Sequence, residues 1–473
     1  MEENIIWTNT VQVGNEVDLQ AAIFTAASSK EPTIIELLNN IDLTQSLLVY
    51  SGVTIRLTSY ESNNYEINAG EQNFRAITAV TSVGNNTTLY LGNITITGGK
   101  TTSMGGGIYG DSSGGYFILV LEDGSLITNN SAASGGGIYF YNGHITMLGG
   151  EISYNTASNL GGAILLGNGD VATNEVFNMQ GGIIQENTAA TSGGIHEGNK
   201  WTVNISGGQF INNHATNYAG AITSMRLAIT GGEFIGNTSA SYAGCILAGL
   251  DTDITISGNT LFKDNGATTD GGAIYIYSSF KDNFTIGDTV IFENNTAGAG
   301  GGAIYTTVDN LPKLFIGAGV TFINNSASTG YKLRNPEDDA IYETNILATS
   351  WSEPYEQGFN NYDISYQGIN PPSPPSSTCP VTTYRTVDVC LPVSIKPSAT
   401  VGTIITRCCG DAIIVSGSNV CEGIPNATCD FTITQKVCIE VPVVFAANSI
   451  VGDAHVLCDD PRADGCQDCP GPE

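Results

Sequence analysis

Basic residues are scarce in this chain. Its 473 residues include 16 Lys and Arg against 45 Asp and Glu, which gives a formal net charge of −29 at pH 7. Nucleic acids and anionic membrane surfaces are bound mainly through Lys and Arg, so we expect neither as a partner. The chain also lacks any stretch of about 18 apolar residues, and we therefore expect no membrane span.

The first residues show no sign of a leader segment. The first residues, MEENIIWTNTVQVGNE, contain neither a basic region nor an apolar run, so we expect no Sec signal peptide. Cysteine is nearly absent before residue 379, where only Cys245 lies. The remaining cysteines crowd the end of the chain, which is typical of proteins in an oxidising compartment. Any function must reconcile these two observations.

What the chain does contain is glycine, with 58 residues, many of them in one repeated word. A Gly pair or triplet followed by Ile, or a close variant such as AGAI, returns every 24 to 31 residues. Its Ile falls at Ile108, Ile138, Ile164, Ile195, Ile222, Ile246, Ile274 and Ile304. A second word, an apolar residue followed by Asn and a small polar residue, keeps step with the first. Its Asn falls at Asn155, Asn187, Asn213, Asn237, Asn265, Asn295 and Asn325.

Short alternating runs lie between these words, such as VNISGG at 203–208. Alternation indicates strands with one buried face, and Gly and Asn mark the turns between them. Repetition with this period is typical of solenoids. The sequence therefore predicts an all-β fold, a right-handed parallel β-helix with three strands per coil and about ten to twelve coils. The Ile residues would fill the interior, the Asn residues would form a ladder at one corner, and the Gly pair would permit a tight bend.

Solenoid ends need covering. Residues 18–27, DLQAAIFTAA, carry Leu19, Ala22, Ile23 and Ala26 at helical spacing, so we expect a short helix with Asp18 as its N-cap. This helix would form the N-terminal cap within about residues 1–33.

The repeats end near Tyr342, and three further segments follow. Residues 343–368, rich in aromatic side chains, are expected to cover the last coil and to close a β-helix unit of residues 1–368. Residues 369–378 read as a Pro/Ser linker. Residues 379–473 alternate as strands do and predict a small Cys-rich β-sandwich.

The cysteines of this last segment are candidates for disulfides or crosslinks. They are Cys379, Cys390, Cys408, Cys409, Cys421, Cys429, Cys438, Cys458, Cys466 and Cys469. Staples within the domain and crosslinks between chains are both compatible with the spacing. The CxxC at Cys466–Cys469 is a weak zinc signal because the segment holds no second CxxC and only one His, His455.

A glycan-cleaving enzyme would need a carboxylate pair along one groove. Glu186, Glu197, Glu233, Asp264 and Glu293 are the candidates that neighbouring coils could bring together. The three His residues of the repeats, His144, His196 and His214, fall at different points of the repeat. We expect no catalytic residue, no metal ion and no cofactor, because the recurring residues are explained by architecture.

The repeated words, such as FENN at 292–295 and FINN at 322–325, resemble those of bacterial surface β-helix proteins. That group includes adhesins and polymorphic outer-membrane proteins, within the broader pectin-lyase-like fold, and the resemblance covers about residues 90–345. The runs VDVCLPVSIKP and RCCGD resemble a Cys-rich module of surface proteins of spore-forming Firmicutes. This second resemblance implies assembly on a spore without Sec export, which would reconcile disulfides with the missing leader.

These observations together favour a non-enzymatic structural protein of a spore surface or appendage. The β-helix would be a rigid rod, and the Cys-rich domain would anchor it or link it to other copies or other surface-layer proteins. The alternatives are an adhesin that binds glycans along one flank and a glycan-cleaving β-helix enzyme. An aromatic stripe aligned from coil to coil would favour the glycan-binding alternative.

Overall fold

The computed structural model describes residues 5–367 except 62, 83, 114, 169–174, 200, 250–253, 278–282, 308–309, 311–312, 318, 329–331, 335–340 and 344–362. Beyond residue 367 it describes only the strands Val393–Val401, Ile405–Cys408, Ile413–Ser416, Phe431–Thr434, Val437–Glu440 and Val443–Val451.

The Ile that follows each Gly word begins a strand, and these strands pair in parallel as one sheet, which we call the GG-Ile sheet. Ile108 lies beside Ile138 and Ile138 beside Ile164, so equivalent residues are in register. The strands are Leu47–Val49, Ile77–Ser82, Ile108–Ser113, Ile138–Phe140, Ile164–Asn168, Ile195–Asn199, Ile222–Ser224, Ile246–Ala248, Ile274–Ile276, Ile304–Thr307 and Ile364–Gln367.

The alternating runs between the two words build a second, larger sheet of two parallel rows. The first row contains Asn9–Val13, Thr33–Leu37, Thr54–Ser59, Thr87–Gly92, Phe117–Leu121, Gly143–Met147, Val176–Met179, Thr202–Ile205, Phe284–Ile286 and Leu314–Ile316. The second contains Ile41–Asp42, Tyr65–Asn68, Ile94–Thr97, Leu126–Thr128, Glu151–Ser153, Ile183–Gln185, Gln209–Ile211, Ile291–Glu293 and Thr321–Ile323. Two long strands, Leu227–Ile235 and Ile254–Lys263, run through both rows and join them.

The residues after each repeated Asn form the third sheet, the post-Asn sheet. Its strands are Ser131–Ser134, Thr156–Leu160, Thr188–Thr191, His214–Tyr218, Thr238–Ser239, Gly266–Ala267, Thr296–Ala297 and Ser326–Ala327. This sheet begins later in the chain than the other two, because the first repeated Asn word precedes Ser131.

The three sheets enclose one continuous apolar interior, and the chain forms an all-β parallel solenoid of about ten turns. The predicted solenoid is thereby confirmed. Most later coils contain four strand segments where three were expected. Gly turns such as Gly149–Gly150, with Gly150 at φ +74°, divide most of these runs into two strands, one in each row.

The one helix in the described part of the chain, α1 (Glu16–Ser29), contacts the first strands of the solenoid. Leu19, Ala22, Ile23 and Ala26 are its buried residues, at the predicted spacing. The predicted N-cap was wrong. Asn15 has extended backbone angles and accepts the Asp18 amide hydrogen through Oδ1 at 3.0 Å, so the N-cap lies three residues earlier than expected.

The solenoid continues beyond the last repeated word. Ile364–Gln367 pairs in parallel with Ile304–Thr307, and Ile364 is buried beside Ile304. Before it, Lys332–Arg334 pairs antiparallel with Ile341–Glu343. The rest of the expected C-terminal cap, including Trp351, Tyr355 and Phe359, lies outside the described residues.

The contacts divide the chain into two units, Met1–Pro374 and Pro375–Glu473. The described strands of the second unit form three antiparallel pairs. Val393–Val401 pairs with Val443–Val451, Ile405–Cys408 with Val437–Glu440, and Ile413–Ser416 with Phe431–Thr434. A β-sandwich remains a prediction, and the expected 369–378 linker lies outside the described residues.

Candidate binding surface

The two glycines of the repeated word have different roles. The residue three before each Ile takes a left-handed conformation, with φ between 60° and 71°, and it is Ser192, Ala219 or Ala243 in three of the eight coils. The next residue is Gly every time. A Cβ on Gly272 would lie 2.0 Å from the Gly302 carbonyl oxygen, and one on Gly136 would lie 2.5 Å from that of Gly162. Contact between neighbouring coils therefore requires the second Gly.

All eight Ile residues of the word are fully buried in the solenoid interior. Beside them runs a second interior column, of phenylalanines from the second row of the large sheet. Phe210, Phe234, Phe262 and Phe292 stack face to face with ring centroids 4.9–5.0 Å apart, and Phe322 continues the stack at 5.2 Å. These distances are close to the strand spacing of ~4.8 Å, because each coil contributes one ring.

The repeated Asn residues form a hydrogen-bonded row inside one corner. In each step the backbone N–H and the side-chain Nδ2 of one Asn donate to Oδ1 of the Asn one coil later; from Asn213 to Asn237 both distances are 3.0 Å. Nδ2 also donates to a backbone carbonyl of the preceding coil, Phe210 in the case of Asn237. The row joins Asn155, Asn187, Asn213, Asn237, Asn265, Asn295 and Asn325.

The row begins one coil earlier than the sequence analysis placed it. Asn130 donates through Nδ2 to Asn155 Oδ1 at 3.0 Å, and its own Oδ1 accepts the Gly99 amide hydrogen at 2.9 Å. The signal was present in ITNNSA at 127–132, which has the form of the later words. From Asn130 to Asn295 each Asn is buried, with Oδ1 and Nδ2 both engaged in hydrogen bonds, so these side chains are not available to a ligand.

Outside the solenoid, five tyrosines from four coils meet on one flank, and we call them the tyrosine cluster. Tyr218 and Tyr242 stack with centroids 4.8 Å apart, Tyr242 and Tyr275 at 4.8 Å, and Tyr275 and Tyr305 at 4.9 Å. Tyr277 lies edge-on to Tyr275 at 6.3 Å. Tyr275 packs against Ala219, Ala243 and Leu247, which form a small buried apolar cluster.

The cluster combines two positions of the repeat. Tyr275 and Tyr305 follow the Ile of the Gly word, whereas Tyr218 and Tyr242 precede their Ile by four residues. In the GG-Ile sheet the neighbour of Tyr275 is the shorter Leu247, and the ring that stacks on Tyr275 comes from Tyr242 instead. Sequence reasoning missed this meeting, since nothing in the spacing brings the two positions together.

Burial raises the pKa of Tyr275 and of Tyr305 to about 12, and the nearby Asp270 carboxylate adds to the rise in both. The pKa of Tyr218 is also raised, first by the charge that Tyr242 would carry and then by a hydrogen bond with it. Burial raises the pKa of Asp270 itself, against the Gly300 amide hydrogen bond that lowers it. The three phenols therefore stay neutral hydrogen-bond donors well above neutral pH.

A second, shorter aromatic stack lies on the same sheet nearer the N-terminus. Tyr109 and Tyr139 stack at 5.3 Å, and the Arg75 guanidinium lies 4.2 Å from the Tyr109 ring centroid. Leu165, His196 and Thr223 continue this outward column toward the tyrosine cluster. The outer column thus changes from coil to coil, whereas the inner columns repeat.

Two of the candidate carboxylates are close to each other. The Asp264 backbone N–H donates to the Glu293 backbone carbonyl oxygen at 3.0 Å, and Lys263 also lies near the Asp264 charge. Glu186 accepts from Asn212 Nδ2 at 2.9 Å, and Glu233 accepts from Gln209 Nε2 at 2.7 Å. Glu293 is paired with Lys263 Nζ at 2.8 Å. The strand register places Glu233 beside Leu261, and Glu293 beside Lys263, in different columns of the large sheet. Asp264 occupies a left-handed turn at φ +55°.

Glu197 differs from the other carboxylates because it is buried, on the GG-Ile sheet beside Leu166. Burial raises its pKa, although hydrogen bonds from the Met225 amide at 2.6 Å and the Ser224 hydroxyl at 3.2 Å act against the rise, as does the charge of Arg226. The structure does not bring Glu197 together with Glu233 or Glu293, which belong to the other sheet.

The histidines lie at three separate places. His196 Nδ1 is 3.2 Å from Ser192 Oγ, and burial lowers the pKa of His196 to about 4. His214 Nδ1 lies 2.9 Å from Thr238 Oγ1, and His144 stacks on Tyr116 at 5.4 Å. Within the described part of the chain, no group of three or more His, Cys, Asp or Glu side chains is placed to hold a metal ion.

Cys245 is a free, buried thiol in the solenoid interior. Cys408 and Cys438 lie in the paired strands Ile405–Cys408 and Val437–Glu440, opposite Val437 and Arg407 respectively. The other eight crosslink candidates lie outside the described residues. In the part of the chain that the structure describes, no helix is long and apolar enough to cross a membrane.

Two stretches of this chain match a known family model, that of the Chlamydia polymorphic membrane protein repeat, over residues 253–277 and 289–307. Each match contains one ladder Asn, Asn265 or Asn295, and one GGAIY word. No curated protein and no solved structure matches the chain. The likeness of the repeated words to polymorphic-membrane-protein repeats is thereby confirmed for these two coils, while the resemblance of the Cys-rich segment to Firmicutes proteins stays a prediction.

Proposed function

We propose that this chain is a non-enzymatic, surface-exposed protein of the adhesin type, in which the solenoid is a rigid scaffold for binding groups on its outside. One observation carries the proposal. The residues that recur in every coil, the second Gly, the Ile and the Asn, are all committed to coil contact, interior packing or the Asn row. The recurring residues are therefore structural, and the residues that follow each Ile on the outer face of the GG-Ile sheet are free to differ from coil to coil.

The match to the Chlamydia polymorphic membrane protein repeat supports an exterior location, because the repeat is named for membrane proteins. The charge of −29 favours solubility and opposes non-specific association of such a scaffold.

Exposure can be tested on intact cells that produce the protein, with an antibody raised against the folded chain. We expect labelling of intact cells at the level seen after permeabilisation. Labelling that appears only after permeabilisation would contradict the proposal. A cytoplasmic protein probed on the same cells controls for leakage.

The Cys-rich segment, residues 379–473, is proposed to anchor the rod or to crosslink it to other copies or to other surface-layer proteins. The clustering of cysteine in this segment supports the idea. On a non-reducing gel the full chain should then migrate as covalent oligomers that collapse on reduction. A variant with Ser at the ten cysteines of the segment should migrate as a monomer. A monomer of the unmodified chain in both lanes would confine the disulfides to the interior of the segment.

A spore surface is the narrower setting that we propose for this anchoring, supported only by the resemblance of the Cys-rich segment. Fractionation of a sporulating culture tests it: the protein should appear in the outer spore layers and be absent from vegetative cells. Equal amounts in vegetative cells would remove the spore from the proposal and leave the exterior scaffold intact.

A further inference from the structure

We propose that the tyrosine cluster, which comprises Tyr218, Tyr242, Tyr275, Tyr277 and Tyr305, is a binding site for an uncharged polysaccharide that lies along the solenoid axis. This inference rests on the proposed function as an exterior binding scaffold and assigns a ligand class to one part of it.

The exposed parts of the cluster suit a sugar. Tyr277 is 43% exposed and edge-on to Tyr275, so a face of its ring is open to solvent. Tyr218, which is 36% exposed, ends the stack and has a ring neighbour on one side only among the described residues. A pyranose has an apolar face of C–H groups that packs on such rings, while its hydroxyls need polar partners at the edge.

The cluster also supplies those polar partners. The rings of Tyr242 and Tyr275 have both faces covered by stacking, so they offer edges and hydroxyls to a ligand. Burial raises the pKa of Tyr275 and of Tyr305 to about 12, so both phenols are hydrogen-bond donors at neutral pH. Asp270 lies beside Tyr275 and Tyr305 and adds an acceptor. A few polar groups around aromatic surface is the usual composition of a specific ligand site.

Charge decides which polysaccharide. The net charge of −29 and the Asp270 carboxylate beside the stack disfavour polymers with uronic acid, sulfate or phosphate groups. A neutral glycan meets no such repulsion.

The spacing favours a polymer over a single sugar. Ring centroids repeat at 4.8–4.9 Å along the axis because each coil adds one strand spacing. An extended chain of pyranose units advances by a similar length per unit. Successive sugars can therefore contact tyrosines of successive coils, by ring face at the exposed Tyr218 and Tyr277 and by ring edge or hydroxyl at the stacked rings between them, and weak contacts add along the chain.

The test uses the full-length protein and its retention on insoluble cellulose, chitin and β-1,3-glucan, with migration through gels that contain soluble xylan or polygalacturonate. We expect retention by at least one neutral polymer and none by polygalacturonate. Tyr277→Ala should weaken that binding by about tenfold, the loss typical of one aromatic anchor. Tyr277→Phe should weaken it less, because the ring face is kept.

The matched control is Tyr141→Ala, which removes a tyrosine of similar exposure, 41%, outside the cluster, and should leave binding unchanged. Equal melting temperatures of the three variants would show that folding is intact, and Tyr218→Ala provides a second exposed probe should Tyr277→Ala unfold.

Retention by none of the neutral polymers, preference for polygalacturonate, or equal binding by the cluster variants and the control would overturn the inference. So would self-association of the protein that Tyr277→Ala abolishes, because the cluster would then bind a second copy. Surface labelling of intact cells is independent of all these outcomes, so a failure here leaves the exterior scaffold standing.

Discussion

The early coils, residues 33–97, and the repeat coils, residues 105–327, build the same parallel stack in two ways. The early interior is aliphatic, with residues such as Ile35, Leu57 and Leu89, and it is covered by α1. The repeat coils add the Gly word, the Asn row and the Phe column. Main-chain pairing continues without a break between the two regions, for instance from Ile77 to Ile108.

This difference shows that burial and backbone pairing suffice to form a coil, while repetition adds directional contacts on top. In the early coils a helix closes the open end, so individual residues can vary. In the repeat coils the Asn and Phe side chains also contact their own equivalents one coil away, so neighbouring repeat coils share side-chain contacts in addition to backbone pairing. Substitutions in the repeat coils should therefore disturb neighbours on both sides.

The largest effect should follow Ile274→Asp in the repeat coils. Ile274 is fully buried between Ile246 and Ile304, and a carboxylate there would have no partner. We expect a loss of more than ~4 kcal/mol in unfolding free energy, which denaturant titration would measure. The equivalent Ile222→Asp should cost a similar amount. Soluble Ile274→Asp protein with an unchanged denaturation midpoint would refute the inward placement of the Ile column.

A smaller but still large effect is expected for Asn237→Ala. The substitution leaves the Asn213 N–H, the Asn213 Nδ2 and the Phe210 carbonyl oxygen without their partner. Each buried orphan costs ~1–3 kcal/mol, so the variant should lose roughly 3–5 kcal/mol. Asn204→Ala is the control, because Asn204 lies on the outer face and bonds only Asn178 among the contacts that the structure shows. Equal losses for the two variants would mean that the Asn row adds nothing to stability.

The two glycines of one word should respond differently. Gly272→Ala would place a methyl group 2.0 Å from the Gly302 carbonyl oxygen and must push two coils apart, which we expect to cost about 3 kcal/mol. Gly271→Ala should cost less, ~1–2 kcal/mol, although its Cβ would lie 2.4 Å from the Ile274 carbonyl oxygen. Ala219 and Ala243 already occupy this left-handed position in their coils, so the local backbone can accommodate the methyl group. Thermal melting of both variants makes the comparison. A larger loss for Gly271→Ala would reverse the assigned roles.

A pH dependence should distinguish Glu197 from the buried polar residues of the early coils, such as Thr33 and Thr87, which do not titrate. Because burial raises the pKa of Glu197 in the folded chain, the folded state holds the proton more tightly than the unfolded state. The stability that the protonated Glu197 contributes is fully present below pH 4.5, its ordinary pKa. It is lost as the pH rises through the raised pKa of Glu197 in the folded chain. As the pH rises above 4.5, the unmodified protein should therefore lose stability relative to Glu197→Gln, so the melting temperature of Glu197→Gln should increase relative to that of the unmodified protein. A difference that stays constant with pH would contradict this account.

The smallest effect should be a gain. The residue before each Asn of the row takes a left-handed conformation, as Tyr154 does at φ +54°, which is unfavourable for a side chain with Cβ. Tyr154→Gly should raise stability by ~0.5–1 kcal/mol, since this tyrosine is 56% exposed and has little packing to lose. Tyr141→Gly, at a position outside the left-handed region, should lower stability in the same thermal melts. A loss for Tyr154→Gly would show that its ring contributes more than the strain costs.

The architecture was readable from the sequence where one residue type recurs in one slot. The regular spacing of Ile108, Ile138 and Ile164 predicts an interior column, and the regular spacing of the Asn words predicts the Asn row. The N-cap was misread because Asp18 and Asn15 are both good caps, and the sequence does not show which of them lies at the turn into the helix. The division of the large sheet into two rows was missed because the bend falls within a run that still alternates.

By itself the sequence determined the solenoid. A repeated pattern of buried and turn residues is satisfied when coils stack so that equivalent residues pack on one another. Only the tertiary structure decided what lies on the outside. Tyr242 and Tyr275 occupy different positions of the repeat, and their rings meet because Leu247 is short enough to leave room between them. The separation of Glu233 from Glu293 was decided in the same way, by register between columns. Interior slots are set by periodicity along the chain, whereas surface contacts depend on side-chain lengths across coils, and periodicity does not encode those.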